Sequence, residues 1–521
     1  MHSFFSTDKK PYFLLLDTHF THFHPPRTPS PQAYILYISP TGEERSESHR
    51  AKETDPMETL HIQNRGFVAV HVGAGLHATR NKQRYLDACT RACQAGIQLL
   101  LLDPPPTATD VVERMIRILE DDPVTNAGRG SNLNLDGHVE CDASIMNGTT
   151  LGFGSIGAVS DFKNPISVAA KVLKEADQGP LSLGRIPPLM LVGSGVRQWV
   201  DTMGFDTLER VRQPHSVIPA NGSDAEAAAE IAMAGSLVTP ESMHLHIKFQ
   251  KMLQDATGQI SAPEESAELG AKGQNEERER LDWVSDINVS NEAKRKAQDT
   301  SIPSSSSPTG ASSTKKRNVV EEDQMQDTVG AICVDAQGRM AAGVSSGGIA
   351  MKFPGRVSEA ALFGAGCWAQ DSSDDSAGFA CSMTGAGEQI CKTLLARTCM
   401  ETMVHQDDTA TAAHTVLERF KNSPLLRSYN EKYAGFIAVK LSSAAGDGQD
   451  SSDPDSEMDM VADAAQTAKM EKSQRTEFIF AYTTKTMGVA YMSTQDAKPT
   501  SIMSKGKENC GITVYTCMVK M

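Results

Sequence analysis

The chain is expected to adopt an α/β (α+β) fold arranged as a four-layer αββα sandwich, in which helices cover the outer faces of two stacked sheets. Two observations predict it. Strand and helix signals run sheet, helices, sheet on both sides of a single polar linker, and a confident β-hairpin signal begins where that linker stops. The first ordered run, Gly66-Phe67-Val68-Ala69-Val70-His71-Val72, is β-branched and apolar and halts at Gly73-Ala74-Gly75, which reads as a buried strand entering a tight turn. Apolar positions then take helical spacing over about 83–102 and 109–120, with Val112, Met115, Ile116 and Leu119 on one face of the second helix. A glycine-rich loop, Asn126-Ala127-Gly128-Arg129-Gly130-Ser131-Asn132, leads to the alternating strand Val139, Cys141, Ala143, Ile145.

Residues from about 251 to 327 change character, rich in Glu, Lys, Ser and Gln, and bury too little apolar surface to offset the entropy of ordering. Order resumes at Thr328-Val329-Gly330-Ala331-Ile332-Cys333-Val334, turns through Asp335-Ala336-Gln337-Gly338 and returns in a strand ending near Val344. Helical patterns follow near 387–403 and 409–422, then strands around 434–441, 477–483 and 487–492, with an acidic insertion at about 443–473. The expected organisation is a disordered extension over 1–62, an N-terminal part over 63–250, the linker over 251–327 and a C-terminal part over 328–521.

Composition excludes several classes. A formal net charge of −15 argues against a general nucleic-acid binder, which needs a basic face. The ten cysteines form no CxxC or Cys/His cluster, so neither a structural metal site nor a disulfide framework is expected, and a reducing, intracellular compartment fits them. Cys89 and Cys93, four apart on a helix, read as buried packing thiols. No stretch of about 18 apolar residues suggests a membrane span. Two basic triplets in the linker, Lys294-Arg295-Lys296 and Lys315-Lys316-Arg317, have the pattern of a nuclear signal or of solvated loop charge, so nucleus and cytoplasm both stay open.

A polar linker that ends at the first residue of a buried hairpin is a sensible way to present a scissile bond. Cleavage between Asp327 and Thr328 would free the Thr328 α-amino group, a base with a pKa near 8 on the same residue as the hydroxyl it would activate. An Asp-Thr pair before a strand is common, so its neighbours must carry the argument. Downstream stand Val344-Ser345-Ser346-Gly347-Gly348, Lys352-Phe353-Pro354-Gly355-Arg356-Val357 and Met383-Thr384-Gly385-Ala386-Gly387-Glu388, each pairing a hydroxyl or guanidinium with glycines that allow close backbone approach.

With the hairpin, these motifs, His71-Val72-Gly73-Ala74-Gly75, Asn126-Ala127-Gly128-Arg129-Gly130 and Asp142-Ala143-Ser144-Ile145-Met146 together resemble the plant-type asparaginase and aspartylglucosaminidase family of N-terminal-nucleophile hydrolases. The resemblance implies an autoprocessed enzyme without cofactor or catalytic metal, built as a dimer of two-fragment units. It implies that Thr328 is the nucleophile, Ser346 the second hydroxyl beside it, and Thr384 and Gly385 the oxyanion-stabilising pair. Asn126 matches the asparagine of the Asn-Ala-Gly loop, placed near the scissile bond or bracing the loop. Arg356 matches the arginine that grips a substrate carboxylate, a task suited to a planar bidentate donor. A second, lysine anchor falls by direct alignment on Asn81, with Lys82 adjacent.

Within that family, the long linker and segments such as Gly184-Arg185-Ile186-Pro187-Pro188 and Gly366-Cys367-Trp368-Ala369 resemble an endopeptidase branch that cuts protein substrates after Asp, which by resemblance would be nuclear regulatory proteins. Asparaginases and such an endopeptidase can share one arginine, because in both substrates the scissile carbonyl lies two carbons from a carboxylate. They differ at the nitrogen. A free amino acid presents a cation, met in asparaginases by an aspartate three residues after the arginine; here that position holds Glu359. An endopeptidase meets a neutral amide there, so its Glu359 carboxylate should be dispensable or turned aside. A small-molecule amidohydrolase and an inactive scaffold are the competing readings.

Overall fold

The β-branched run at 66–75 forms a strand whose two faces are both buried, which explains why it lacks a polar face. The computed structural model describes residues 66–211, 235–260, 328–443, 474–506 and 511–521. Strand β1 (Phe67–Gly75) pairs antiparallel with β5 (Val329–Val334) on one side and β11 (Thr486–Ser493) on the other. Its side chains alternate, as a period of two requires. Val68, Val70 and Val72 enter a core shared with helices α1 (Lys82–Leu100), α2 (Ala108–Asp121) and α3 (Pro165–Asp177). Phe67 and Ala69 enter a second core with the other sheet. On β5 the same alternation sends Val329, Ala331 and Cys333 to the helices and Ile332 and Val334 to the second core.

The larger sheet has eight strands in the order β12-β11-β1-β5-β6-β2-β3-β4, adding β2 (Cys141–Asn147), β3 (Phe153–Val159), β4 (Met190–Val192), β6 (Met340–Ser346) and β12 (Thr500–Lys505). The smaller has five in the order β13-β10-β9-β8-β7, from β7 (Cys367–Gln370), β8 (Gly378–Gly385), β9 (Ala434–Ser443), β10 (Gln474–Tyr482) and β13 (Thr513–Val519). The hairpin of β5 and β6 forms as the sequence predicts, in register from Val329 opposite Ser345 to Val334 opposite Met340. Helix α2 starts at a capping box in which Thr107 and Asp110 satisfy each other's backbone amides, and it buries the expected Val112, Met115, Ile116 and Leu119. Cys89 and Cys93 are buried along α1.

Two boundaries differ from the sequence reading. Helix α5 runs Pro240–Ile260, so its end occupies the first residues assigned to the linker; α4 (Ser194–Met203) precedes it. The pattern over 387–403 is two helices, α6 (Gly387–Thr393) and α7 (Leu395–Met403), because Leu394 adopts a left-handed backbone (φ 46°) that ends the first. Among the described residues the last α-helix, α8 (Thr409–Lys421), is capped by Asp408. The extension over 1–62, Asp327, the rest of the linker and most of the acidic insertion lie outside the described residues.

Candidate active site

Thr328 is the residue before β5, and its side chain is buried. Because β5 runs antiparallel to β1 with Gly330 opposite His71, the head of β5 lies beside the last residues of β1. On its other side β5 pairs with β6, whose last residue is Ser346. Thr328 Oγ1 lies 3.1 Å from Ser346 Oγ and 3.0 Å from Glu359 Oε1, so its single proton faces two acceptors. Ser346 Oγ also accepts the Gly348 amide at 3.0 Å.

The loop after Ser346 is held by Asn126. Its Nδ2 donates to the Gly348 carbonyl at 2.9 Å, its Oδ1 accepts the Asn132 amide at 2.9 Å, and its carbonyl accepts the Gly347 amide at 2.8 Å. Asn132 Nδ2 reaches the same Gly348 carbonyl at 2.9 Å. Of the two roles open to Asn126, these contacts describe the bracing one. Lys352, also buried, donates to the carbonyls of Gly347, at 3.0 Å, and Glu140. Burial lowers its pKa, opposed by Asp142 and other nearby groups.

Arg356 is largely buried and donates from Nε to Glu388 Oε1 at 2.8 Å. Nη2 lies 2.8 Å from that same oxygen without hydrogen-bond geometry, and neither Nη1 nor Nη2 makes a hydrogen bond. Two glycines leave room for this guanidinium. A Cβ at Gly387 would stand 2.7 Å from Nη2 and 2.6 Å from Glu359 Oε2, and one at Gly348, whose φ is +67°, 2.8 Å from Nη1.

Glu359 is where the structure corrects the expectation for an endopeptidase: its carboxylate is not turned aside but accepts a hydrogen bond from the Thr328 hydroxyl. The cause is local. Asp142, wholly buried on β2, accepts the Ser358 amide on one oxygen (2.7 Å) and the Ala158 amide on the other (2.8 Å). Ser358 then caps the 3-10 turn Glu359–Ala361, so Glu359 starts from a fixed backbone. Burial pushes its pKa from 4.5 up to about 7, against the opposing pull of the Arg356 charge and the Thr328 hydroxyl.

Thr384 and Gly385 end β8, and their tie to Thr328 is indirect. Thr384 Oγ1 accepts the Ala74 amide at 3.2 Å, at the end of β1 that flanks the head of β5. Ser382, two residues earlier, bridges His71 Nε2 and the Gly343 carbonyl, each at 3.0 Å, and so connects β8 with β1 and β6. Lys82 is not brought into this cluster; it opens α1 with an exposed side chain, and Asn81 directly precedes it. The motifs containing Asp142, Lys352 and Glu388 were visible in the sequence without roles; only their contacts reveal what they hold. A cavity of roughly 280 Å³ against α2 and α3, lined by Arg117, Phe162, Asn164 and Lys171 among others, shares no residue with the Thr328 cluster. Among the described residues no group of three His, Cys, Asp or Glu is placed to hold a metal ion.

A buried threonine hydroxyl at the head of a central strand, bonded to a serine and a carboxylate and close to a guanidinium paired with Glu388, is an arrangement that can supply the nucleophile of a hydrolase. A family model described as Asparaginase matches residues 64–218 and 246–453, and the chain belongs to that family of N-terminal-nucleophile hydrolases. It is 26% identical over 337 residues to an isoaspartyl peptidase of Escherichia coli, covering 64% of this chain and 75% of that protein. It is 28% identical over 331 residues to an isoaspartyl peptidase/L-asparaginase of Bos taurus (63% and 74%), and 27% over 334 residues to a plant-type L-asparaginase of Pyrococcus furiosus (64% and 77%).

Proposed function

We propose that the chain is a self-cleaving threonine endopeptidase of the taspase (threonine aspartase) type, which cuts itself between Asp327 and Thr328 and then cuts protein substrates after Asp. The observation that carries the reading is the pairing of Thr328, bonded to Ser346 and Glu359, with an Arg356 that is ion-paired to Glu388 through Nη2 and has a buried Nη1 that makes no hydrogen bond. A buried donor of that kind calls for an acceptor, and a substrate carboxylate two carbons from the scissile carbonyl would supply one. After cleavage the freed α-amino group would serve as base for the Thr328 hydroxyl, with Thr384 and Gly385 stabilising the oxyanion. The two separate cores flanking β1 and β5 support the four-layer αββα arrangement for this enzyme. The long linker, absent from asparaginases, supports the endopeptidase over a small-molecule enzyme. Intracellular, nuclear substrates and a dimer of two-fragment units belong to the same reading.

One observation favours the second reading, an asparaginase or isoaspartyl peptidase. Glu359 places a carboxylate in the site where a free amino acid would bring its ammonium. N-terminal sequencing of the purified fragments tests the cleavage: a fragment beginning at Thr328 is expected, and an intact chain would refute self-processing. Incubating the processed protein with an Asp-containing peptide and with asparagine then separates the substrates. Faster asparagine hydrolysis would overturn the endopeptidase assignment.

A further inference from the structure

In the intact chain the Thr328 nitrogen is tied in the peptide bond to Asp327, so the α-amino base of the mature enzyme does not yet exist. Self-cleavage therefore needs another group to take the hydroxyl proton. Among the described residues, two side-chain oxygens lie within hydrogen-bond distance of Thr328 Oγ1, and one of them belongs to a carboxylate. We infer that Glu359 is the catalytic base of the first, intramolecular cleavage, and that this role, rather than recognition of a substrate ammonium, is why a carboxylate stands there. The inference rests on the self-cleavage reading above. Its chemistry balances. Glu359 accepts the Oγ1 proton while that oxygen bonds to the Asp327 carbonyl carbon; the C–N bond to Thr328 breaks and the nitrogen takes the proton back from Glu359, leaving an ester. Water then adds across the ester, its OH to the Asp327 carbonyl and its remaining hydrogen to Oγ1, giving fragments 1–327 and 328–521.

The surroundings suit a base that works near neutrality. The carboxyl is buried, and its backbone is fixed by Asp142 through Ser358. Among the described residues, the charged and titratable groups that act on it are Arg356 on the preceding loop, Asp142 on β2 and Cys391 on α6; Glu388 on α6 and Lys352 act on Arg356 in turn. Burial and the Asp142 charge raise its proton affinity, while Arg356 lowers it, so that it titrates at about 7. It must be ionised to accept the proton, so the cleavage rate should rise with pH through that value and level off above it.

The test follows the full chain after a short pulse of cell-free synthesis, diluted into buffers from about pH 5 to 9, with cleavage read on a denaturing gel. Wild type should cleave faster as pH rises, with an inflection near 7. Glu359→Gln should be at least about 100-fold slower with no such inflection, the usual contribution of a general base. Glu359→Ala should be inert until formate, which fits the vacated space and restores a carboxylate, is added. A structural role would produce neither the inflection nor the rescue. Glu359→Gln cleaving within about threefold of wild type, with the same pH profile, would overturn this inference and leave self-cleavage standing. A wild-type chain that never cleaves would overturn both. Should Glu359→Gln fail to fold, the wild-type profile decides alone, since a rate flat across the range excludes a base titrating there.

Discussion

Ser346 Oγ lies 3.1 Å from Thr328 Oγ1 and accepts the amide of Gly348 at 3.0 Å, so one hydroxyl joins Thr328 to the loop that Asn126 braces. Ser346→Ala leaves the Gly348 amide buried without this acceptor and Thr328 with only Glu359. Losing a buried hydrogen bond costs about 1–3 kcal/mol, so self-cleavage should slow roughly tenfold to a hundredfold. The half-life of the uncleaved chain on a denaturing gel measures it; an unchanged half-life would remove Ser346 from the site.

Thr328→Ala should remain one intact band, because the hydroxyl that attacks is gone. Thr328→Ser should retain part of the cleavage, since the hydroxyl survives while the methyl that restricts its rotamer is lost. Processing of Thr328→Ala at this bond would refute the nucleophile assignment.

Arg356→Lys keeps a charge but loses the fork whose two terminal nitrogens stand without hydrogen bonds. Hydrolysis of an Asp-X peptide by the processed protein should fall by about an order of magnitude or more. Melting temperature is the control, and equal rates on the peptide with equal stability would exclude Arg356 from carboxylate binding.

Gly387→Ala tests how tightly the two charged side chains are packed. The added Cβ would stand 2.6 Å from Glu359 Oε2 and 2.7 Å from Arg356 Nη2, closer than carbon approaches such atoms. Both side chains must shift, and peptide hydrolysis should drop roughly tenfold or more, the scale of loss for a misplaced catalytic group. Wild-type rates in Gly387→Ala would show that the pair has slack.

Glu120 gives a prediction about stability. It is buried near the end of α2, where Oε1 accepts from Ser345 Oγ at 2.7 Å and from the Ile166 amide at 2.9 Å, and burial lifts its pKa from 4.5 to about 8. A carboxyl whose folded pKa is raised contributes stability that is complete below about 4.5 and is lost as pH climbs through 8. Glu359, raised to about 7, acts in the same direction, whereas His71, which burial lowers to about 3, costs stability as pH falls below 6.5. In a Thr328→Ala background, used to keep the chain whole, the melting temperature should fall by a few degrees or more from pH 6 to 9, and Glu120→Gln should flatten part of that fall. An identical slope in both proteins would mean that Glu120 is ionised in the fold.

The period-two burial of 67–72, the hairpin after Thr328 and the apolar face of α2 were legible in the sequence, because each depends on local alternation or spacing that survives whatever packs against it. Thr328, Ser346 and Arg356 were legible by the motifs that carry them, and the structure gathers them into one cluster with Asn126 behind it. The split at Leu394 was not, since a left-handed backbone at a leucine follows from the packing around it and leaves no break in the apolar pattern. Nor were the positions of Glu359 and Lys82. Direction of a side chain from a loop is set by contacts remote in sequence: Asp142, more than two hundred residues away, pins the Ser358 amide and fixes the turn from which Glu359 reaches Thr328, while Lys82 at the head of α1 stays exposed. Sequence by itself determined which residue types were available and in what order; the tertiary structure decided that Glu359 and not Lys82 meets Thr328, because burial and hydrogen bonding across strands, not spacing along the chain, set both the direction of that carboxylate and its proton affinity.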